Sequence, residues 1–99
     1  MKIEYRSKNI EKTCINISFA VKRYGEDMAY KIHLRIKQID SAHTVEEMIE
    51  NSIGRCHKLS GNRKNQYAMD LIHPKRLVFE KKGEAIQIAE IIEVVDYHR

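Results

Sequence analysis

The sequence contains few of the features that mark membrane, secreted or metal-binding proteins. No apolar run in its 99 residues approaches the ~20 residues that a membrane-spanning helix requires. Residues 1–5 lack the hydrophobic stretch of a signal peptide, so a cytoplasmic protein without membrane contact is expected. The two cysteines, Cys14 and Cys56, show neither a CxxC motif nor the spacing of metal ligands. We therefore expect no metal site and no cofactor.

Motifs of several common enzyme classes are also missing. The chain has no nucleophile elbow and no phosphate-binding glycine loop. It offers no carboxylate pair for acid–base catalysis, because Glu46 and Glu50, at helical spacing, predict a solvated acidic face. There are no repeats or linkers, and the length suits one domain over residues 1–99.

Positive charge outweighs negative charge in the segment of residues 55–82. The formal net charge is +4, and eight of the 18 lysines and arginines lie between residues 55 and 82. Only Asp70 and Glu80 oppose them in that segment. A one-sided basic surface suits a polyanion such as nucleic acid, or an acidic protein partner. The alternative is a basic face that is only solvated.

Apolar periodicity predicts helices in the first half. Residues 2–6 alternate and predict a short strand, whereas apolar residues at spacings of three and four over residues 10–24 predict one amphipathic helix. A second helix is predicted over residues 26–40, so that the two form a hairpin. Thr44 and Glu47 fit a capping box, which predicts a short third helix.

The second half predicts strands over residues 55–59, 66–71, 76–80 and 85–97. This order predicts an α+β fold, in which an N-terminal strand and a helical hairpin pack on one face of a mainly antiparallel sheet of four to five strands. Because side chains alternate along a strand, Arg76 points away from Leu77 and Phe79. It would therefore lie on the partly open second face.

Three residues could support cleavage of RNA without a metal ion. This reaction must deprotonate the 2′-hydroxyl, stabilise the phosphate and protonate the leaving 5′-oxygen. Histidine is suited to proton transfer, arginine to the phosphate, and tyrosine to stacking or proton donation. The candidates are Arg76, Tyr97 and His98. The alternatives are a surface arginine paired with Asp70 and a frayed C-terminal tail.

Three stretches of the chain carry a family resemblance when they are taken together. The first is residues 55–64, the second comprises residues 66–71 and 75–80, and the third is Asp96-Tyr97-His98. Together they resemble the RelE/ParE superfamily of bacterial toxins, specifically its HigB-like branch of plasmid maintenance killer proteins. The first stretch is similar to the His-Pro-Leu-Lys-Gly-Asp-Arg-Lys pattern of that branch, and the second is similar to its hairpin, which carries an arginine flanked by hydrophobic residues.

The resemblance implies a ribosome-dependent mRNA endonuclease that acts in the ribosomal A site and is inhibited by a HigA-like helix-turn-helix antitoxin. By this match, Arg76 would stabilise the scissile phosphate. Tyr97 and His98 would lie at the active site, where His98 acts as acid or base and Tyr97 stacks or assists. Asp96 would lie beside them and contribute to substrate binding.

The resemblance also assigns substrate binding to the loop and the hairpin. Arg63 matches the loop arginine, with Lys64 next to it, and Tyr67 matches an aromatic position of the hairpin. Ser60 replaces the lysine of the family pattern. Lys58 or Lys64 would therefore have to hold the phosphate in its place.

Two other functions are compatible with the same resemblance, because a fold does not determine a function. One is a ParE-like inhibitor of DNA gyrase without nuclease chemistry, against which the terminal His98 argues. The other is a non-catalytic module whose basic face binds only an antitoxin or ribosomal RNA.

Overall fold

Four helices follow the first strand, and the other strands follow the helices. The protein is described by a computed structural model that covers residues 1–97. In chain order the elements are β1 (Lys2–Tyr5), α1 (Lys8–Ile15), α2 (Ile17–Tyr24), α3 (Glu26–Ser41), α4 (Val45–Glu50), a 3₁₀ turn (Ile53–Arg55), β2 (His57–Lys58), β3 (Gln66–Asp70), β4 (Lys75–Lys82) and β5 (Ile88–Asp96). None of the helices in this range is long and apolar enough to cross a membrane.

The strands form one five-stranded sheet in the order β1-β5-β4-β3-β2. All neighbouring strands are antiparallel except β1 and β5, which are parallel. Val78 pairs with Glu93 and Phe79 with Ile91, so Ile92 is the extra residue of a β-bulge in β5. The α+β fold and the mainly antiparallel sheet predicted from the sequence are confirmed.

The predicted single helix over residues 10–24 is wrong, because the chain breaks at Asn16 into α1 and α2. Asn16 has an extended backbone, and its side-chain oxygen accepts a hydrogen bond from the backbone N–H of Phe19 at 3.1 Å. This is the N-cap arrangement that asparagine favours. Apolar periodicity continues across the break and therefore conceals it.

The later elements follow the prediction, but β2, β3 and β5 are shorter than predicted and β4 is longer. Thr44 caps α4 by accepting the N–H of Glu47 at 3.0 Å, as predicted. The carboxylate of Glu47 accepts the N–H of His43 at 2.7 Å. The predicted strand over residues 55–59 is reduced to β2, because Arg55 belongs to the 3₁₀ turn.

Apolar side chains cover both faces of the sheet, but unequally. The main core lies between the helices and the sheet, and it contains Leu77 and Phe79, both fully buried. A smaller cluster on the second face contains Leu59, Ala68 and Val78. The second face is therefore apolar at its centre, and its charged residues lie around this cluster.

The two cysteines are expected to resist thiol reagents in the folded protein. Cys14 and Cys56 are buried, and burial raises their pKa values to about 12 and about 11. The reactive thiolate is therefore scarcer at pH 8 in the folded than in the unfolded chain. We expect slow reaction with Ellman's reagent in buffer and rapid reaction of both thiols in guanidinium chloride. Equal rates in the two conditions would contradict this burial.

Candidate active site

Arg76 lies on the sheet face opposite the helices, near one end of β4. Its cross-strand neighbours are Asp70 on β3 and Val95 on β5. Opposed residues in an antiparallel pair share a face, so Asp70 and Arg76 lie on the same face. The next residue of β4, Leu77, points into the main core, as alternation predicts.

Tyr97 lies directly after β5 and packs against this arginine. Its backbone N–H donates to the carbonyl of Pro74 at 2.7 Å, which ties it to the turn between β3 and β4. The guanidinium carbon of Arg76 is 4.9 Å from the centre of the Tyr97 ring, and that of Arg55 is 5.6 Å away. Both distances are within the range of cation–π contact. The structure thus brings together the two predicted residues Arg76 and Tyr97.

Asp70 connects Tyr97 to Arg55. Arg55 donates two hydrogen bonds to its carboxylate, from Nε to Oδ2 at 2.7 Å and from Nη2 to Oδ1 at 3.0 Å. The phenol of Tyr97 donates to the same carboxylate and accepts a hydrogen bond from Arg55. The hydrogen bond to Asp70 raises the pKa of Arg55 above its usual value. Asp70 is therefore paired with Arg55, not with Arg76.

The turn that contains Arg55 has a left-handed backbone at three residues. Ser52, Gly54 and Arg55 all have positive φ angles of 52°, 58° and 51°. A Cβ atom on Gly54 would lie 2.7 Å from Nε of Arg35, which itself donates to the backbone carbonyl of Asp70 at 2.7 Å. Left-handed backbone at non-glycine residues costs of order 1–3 kcal/mol each and clusters at functional sites. Arg35 of α3 thus packs against the turn and forms a hydrogen bond with the end of β3.

The guanidinium of Arg76 carries an unsatisfied donor. Its Nε is buried, and within residues 1–97 it has no hydrogen-bond partner. A buried unpaired donor costs about 1–3 kcal/mol, so in a native structure it calls for an explanation such as a ligand. Because Asp70 is paired with Arg55, Arg76 forms no ion pair with it, and within residues 1–97 no other carboxylate pairs with Arg76.

His57 also lies on this face of the sheet. It lies opposite Ala68 in the β2–β3 register, and therefore on the face of Arg76. Its Nδ1 is 2.8 Å from the carbonyl oxygen of Arg55. Since a carbonyl only accepts, this contact assigns the proton to Nδ1 and leaves Nε2 as a proton acceptor. His98 lies outside the described residues.

The predicted loop residues lie farther along the same face. Arg63 donates to the side chain of Gln66 at 2.9 Å, and its Nη2 is 3.4 Å from the carboxylate of Glu93. Lys64, beside it, is exposed. Asp96, in contrast, pairs with Lys75 across β4 and β5 at 2.6 Å, and both alternate with Arg76 and Val95, so they lie on the opposite face of the sheet.

Like Asp96, the predicted substrate-binding residues Tyr67 and Lys58 are not brought into this group. Tyr67 is buried on the helix-covered face, where its ring stacks on Phe79 with 5.7 Å between centres. Lys58 is the cross-strand partner of Tyr67 and therefore points to that same face. The pleat of β3 separates both side chains from Arg76. Arg55 and Asp70, in contrast, were not predicted as site residues.

The fold is that of bacterial YoeB/ParE toxins. A YoeB/ParE toxin from Agrobacterium tumefaciens superposes with a TM-score of 0.67 at 16% identity, covering 99% of this chain and 100% of that chain. YoeB from Staphylococcus aureus, solved as a dimer and in complex with YefM, gives TM-scores of 0.64 and 0.65 at 22% identity. Each of these alignments covers 100% of this chain and 98% of the other. No family model and no curated protein matches the sequence.

Proposed function

We propose that the protein is the toxin of a type II toxin–antitoxin pair and that it cleaves mRNA on the ribosome. The observation that carries this proposal is the Arg76 guanidinium, with its buried Nε unpartnered within residues 1–97, held over Tyr97 on a sheet of the toxin fold. A planar, permanently charged fork is the group best suited to a phosphate that gains charge during the reaction.

The proposed chemistry needs no metal ion. A base takes the proton of the 2′-hydroxyl, and the 2′-oxygen attacks phosphorus to form a 2′,3′-cyclic phosphate. The bond to the 5′-oxygen breaks as an acid protonates that oxygen. His57, whose Nδ1 contacts the carbonyl oxygen of Arg55, is the proposed base through its Nε2, and His98, next to Tyr97 in sequence, is the proposed acid. Arg76 would hold the phosphate, and Arg63 and Lys64 would contact the flanking RNA.

We further propose that an antitoxin covers the toxin in the resting cell. The Staphylococcus aureus YoeB structure that includes YefM shows that a protein of this fold forms a complex with a second protein. The resemblance of residues 55–64 and 96–98 to the HigB-like branch favours a HigA-like helix-turn-helix antitoxin for this chain.

Expression in bacteria tests this proposal. Induction of the wild type should arrest growth and create new mRNA 5′ ends confined to translated frames. The double variant Arg76→Ala, His98→Ala should create none, because both the phosphate-binding group and the proposed acid are removed. Arg23→Ala, which removes one positive charge from α2, is the matched control and should behave as the wild type. New ends that persist in the double variant would contradict the proposed chemistry.

The second candidate is inhibition of DNA gyrase, since the Agrobacterium tumefaciens structure is described by both the YoeB and the ParE names. A purified gyrase supercoiling assay separates the two candidates. Inhibition of supercoiling together with intact mRNA would establish the second. Unimpaired supercoiling together with mRNA cleavage would establish the first.

A further inference from the structure

We propose that Asp70 is a positioning residue of this site: it fixes the ring of Tyr97 against Arg76 while Arg55 holds its carboxylate away from Arg76. The effect of Asp70 on catalysis rests on the proposed function. The arrangement itself consists of the Asp70 contacts with Arg55 and Tyr97 and the two cation–π contacts.

The carboxylate of Asp70 is paired with Arg55 and not with Arg76, the arginine opposite it. A carboxylate directly across an antiparallel pair from an arginine would ordinarily form an ion pair with it. Such a pair would neutralise Arg76 and occupy the nitrogen atoms that a phosphate needs. The bidentate bonds from Arg55 instead engage both oxygens of Asp70. Arg55 thereby preserves the positive charge of Arg76 for the substrate.

Two hydrogen bonds hold Tyr97, one at its backbone and one at its phenol. This residue lies beyond the last residue of β5, so strand pairing does not fix its side chain. Its backbone N–H is held by Pro74, and its phenol is held by Asp70. With both ends held, the ring presents its face to the Arg76 guanidinium. Small displacements at a catalytic centre, of about 1 Å, can cost ~10²-fold in rate.

The substitutions Asp70→Ala and Asp70→Asn are therefore expected to differ in their effects. Asp70→Ala removes both the acceptor for the phenol and the partner of Arg55. Asp70→Asn keeps an oxygen that can accept the phenol, but it loses the charge and one of the two oxygen acceptors of Arg55. The side chain of Arg55 is 60% exposed, so leaving it unpaired costs little.

We expect Asp70→Ala to lower kcat for cleavage on programmed ribosomes about 10- to 100-fold without raising KM, because RNA still meets a basic surface. Asp70→Asn should recover most of the lost rate. Tyr97→Phe in the Asp70→Ala background should have almost no further effect, since the two residues act through one contact. Wild-type kcat in a folded Asp70→Ala protein, or independent effects in the double variant, would overturn the proposal.

A second readout does not depend on cleavage. In the NMR spectrum, the Tyr97 ring current should shift the Nε–H proton of Arg76, whose resonance is identified by its loss in Arg76→Lys. This shift should persist in Asp70→Asn and disappear in Asp70→Ala. An unchanged shift in Asp70→Ala would overturn the positioning role. If the wild type shows the shift but cleaves no mRNA, the proposed function fails while the positioning of Tyr97 stands.

Discussion

Replacement of Arg76 by alanine is expected to lower the rate of mRNA cleavage about 10²- to 10³-fold and to leave the protein folded. Loss of one preorganised donor to a developing negative charge has an effect of this size in other enzymes. Stability should change little, because the buried Nε of Arg76 forms no hydrogen bond within residues 1–97. Single-turnover cleavage by purified protein on programmed ribosomes measures the rate, and thermal unfolding measures the stability.

Two further variants separate the charge of Arg76 from its shape. Arg76→Lys keeps the charge but loses the planar fork, so its rate should lie between those of wild type and Arg76→Ala. Arg23→Ala removes a guanidinium that contacts Tyr24 on the helical side, and it should cleave at the wild-type rate. Wild-type activity in Arg76→Ala would remove this residue from the mechanism.

Replacement of Phe79 by alanine is expected to destabilise the protein by about 3–5 kcal/mol. Phe79 is fully buried in the middle of β4, and its ring stacks on Tyr67. The whole free energy of unfolding of such a domain is about 5–15 kcal/mol, so much of it would be lost. Urea unfolding followed by circular dichroism should show a large decrease in the midpoint.

Ile86 provides the matched comparison for this prediction. Ile86 is also apolar, but it lies in the connection between β4 and β5, and it is 80% exposed. Ile86→Ala should change the unfolding free energy by no more than about 0.5 kcal/mol. Similar midpoints for Phe79→Ala and Ile86→Ala would contradict the position of the core.

The order of elements could be predicted from the sequence because it depends on local periodicity. Alternation along β4 placed Leu77 and Phe79 in the core and Arg76 on the second face, as the structure shows. The break at Asn16 could not be found from the same signal, since the apolar spacing continues through it. A capping asparagine inside an apolar stripe was the available indication.

The candidate site could be predicted only in part, because it is assembled by contacts distant in sequence. Arg55 reaches Asp70 through a left-handed turn that packs against Arg35 of α3. No short motif encodes that contact. The resemblance assigned Tyr67 to substrate binding, whereas the structure places its ring in the main core against Phe79.

The most direct test of the proposed activity is a cleavage assay with purified components. The protein is mixed with an mRNA of defined sequence, either free or bound to ribosomes stalled at a known codon. We predict that the mRNA is cleaved within the codon in the A site, and only when ribosomes are present. The new 3′ end should carry a 2′,3′-cyclic phosphate. Intact mRNA on stalled ribosomes, with a folded and growth-arresting protein, would contradict this prediction.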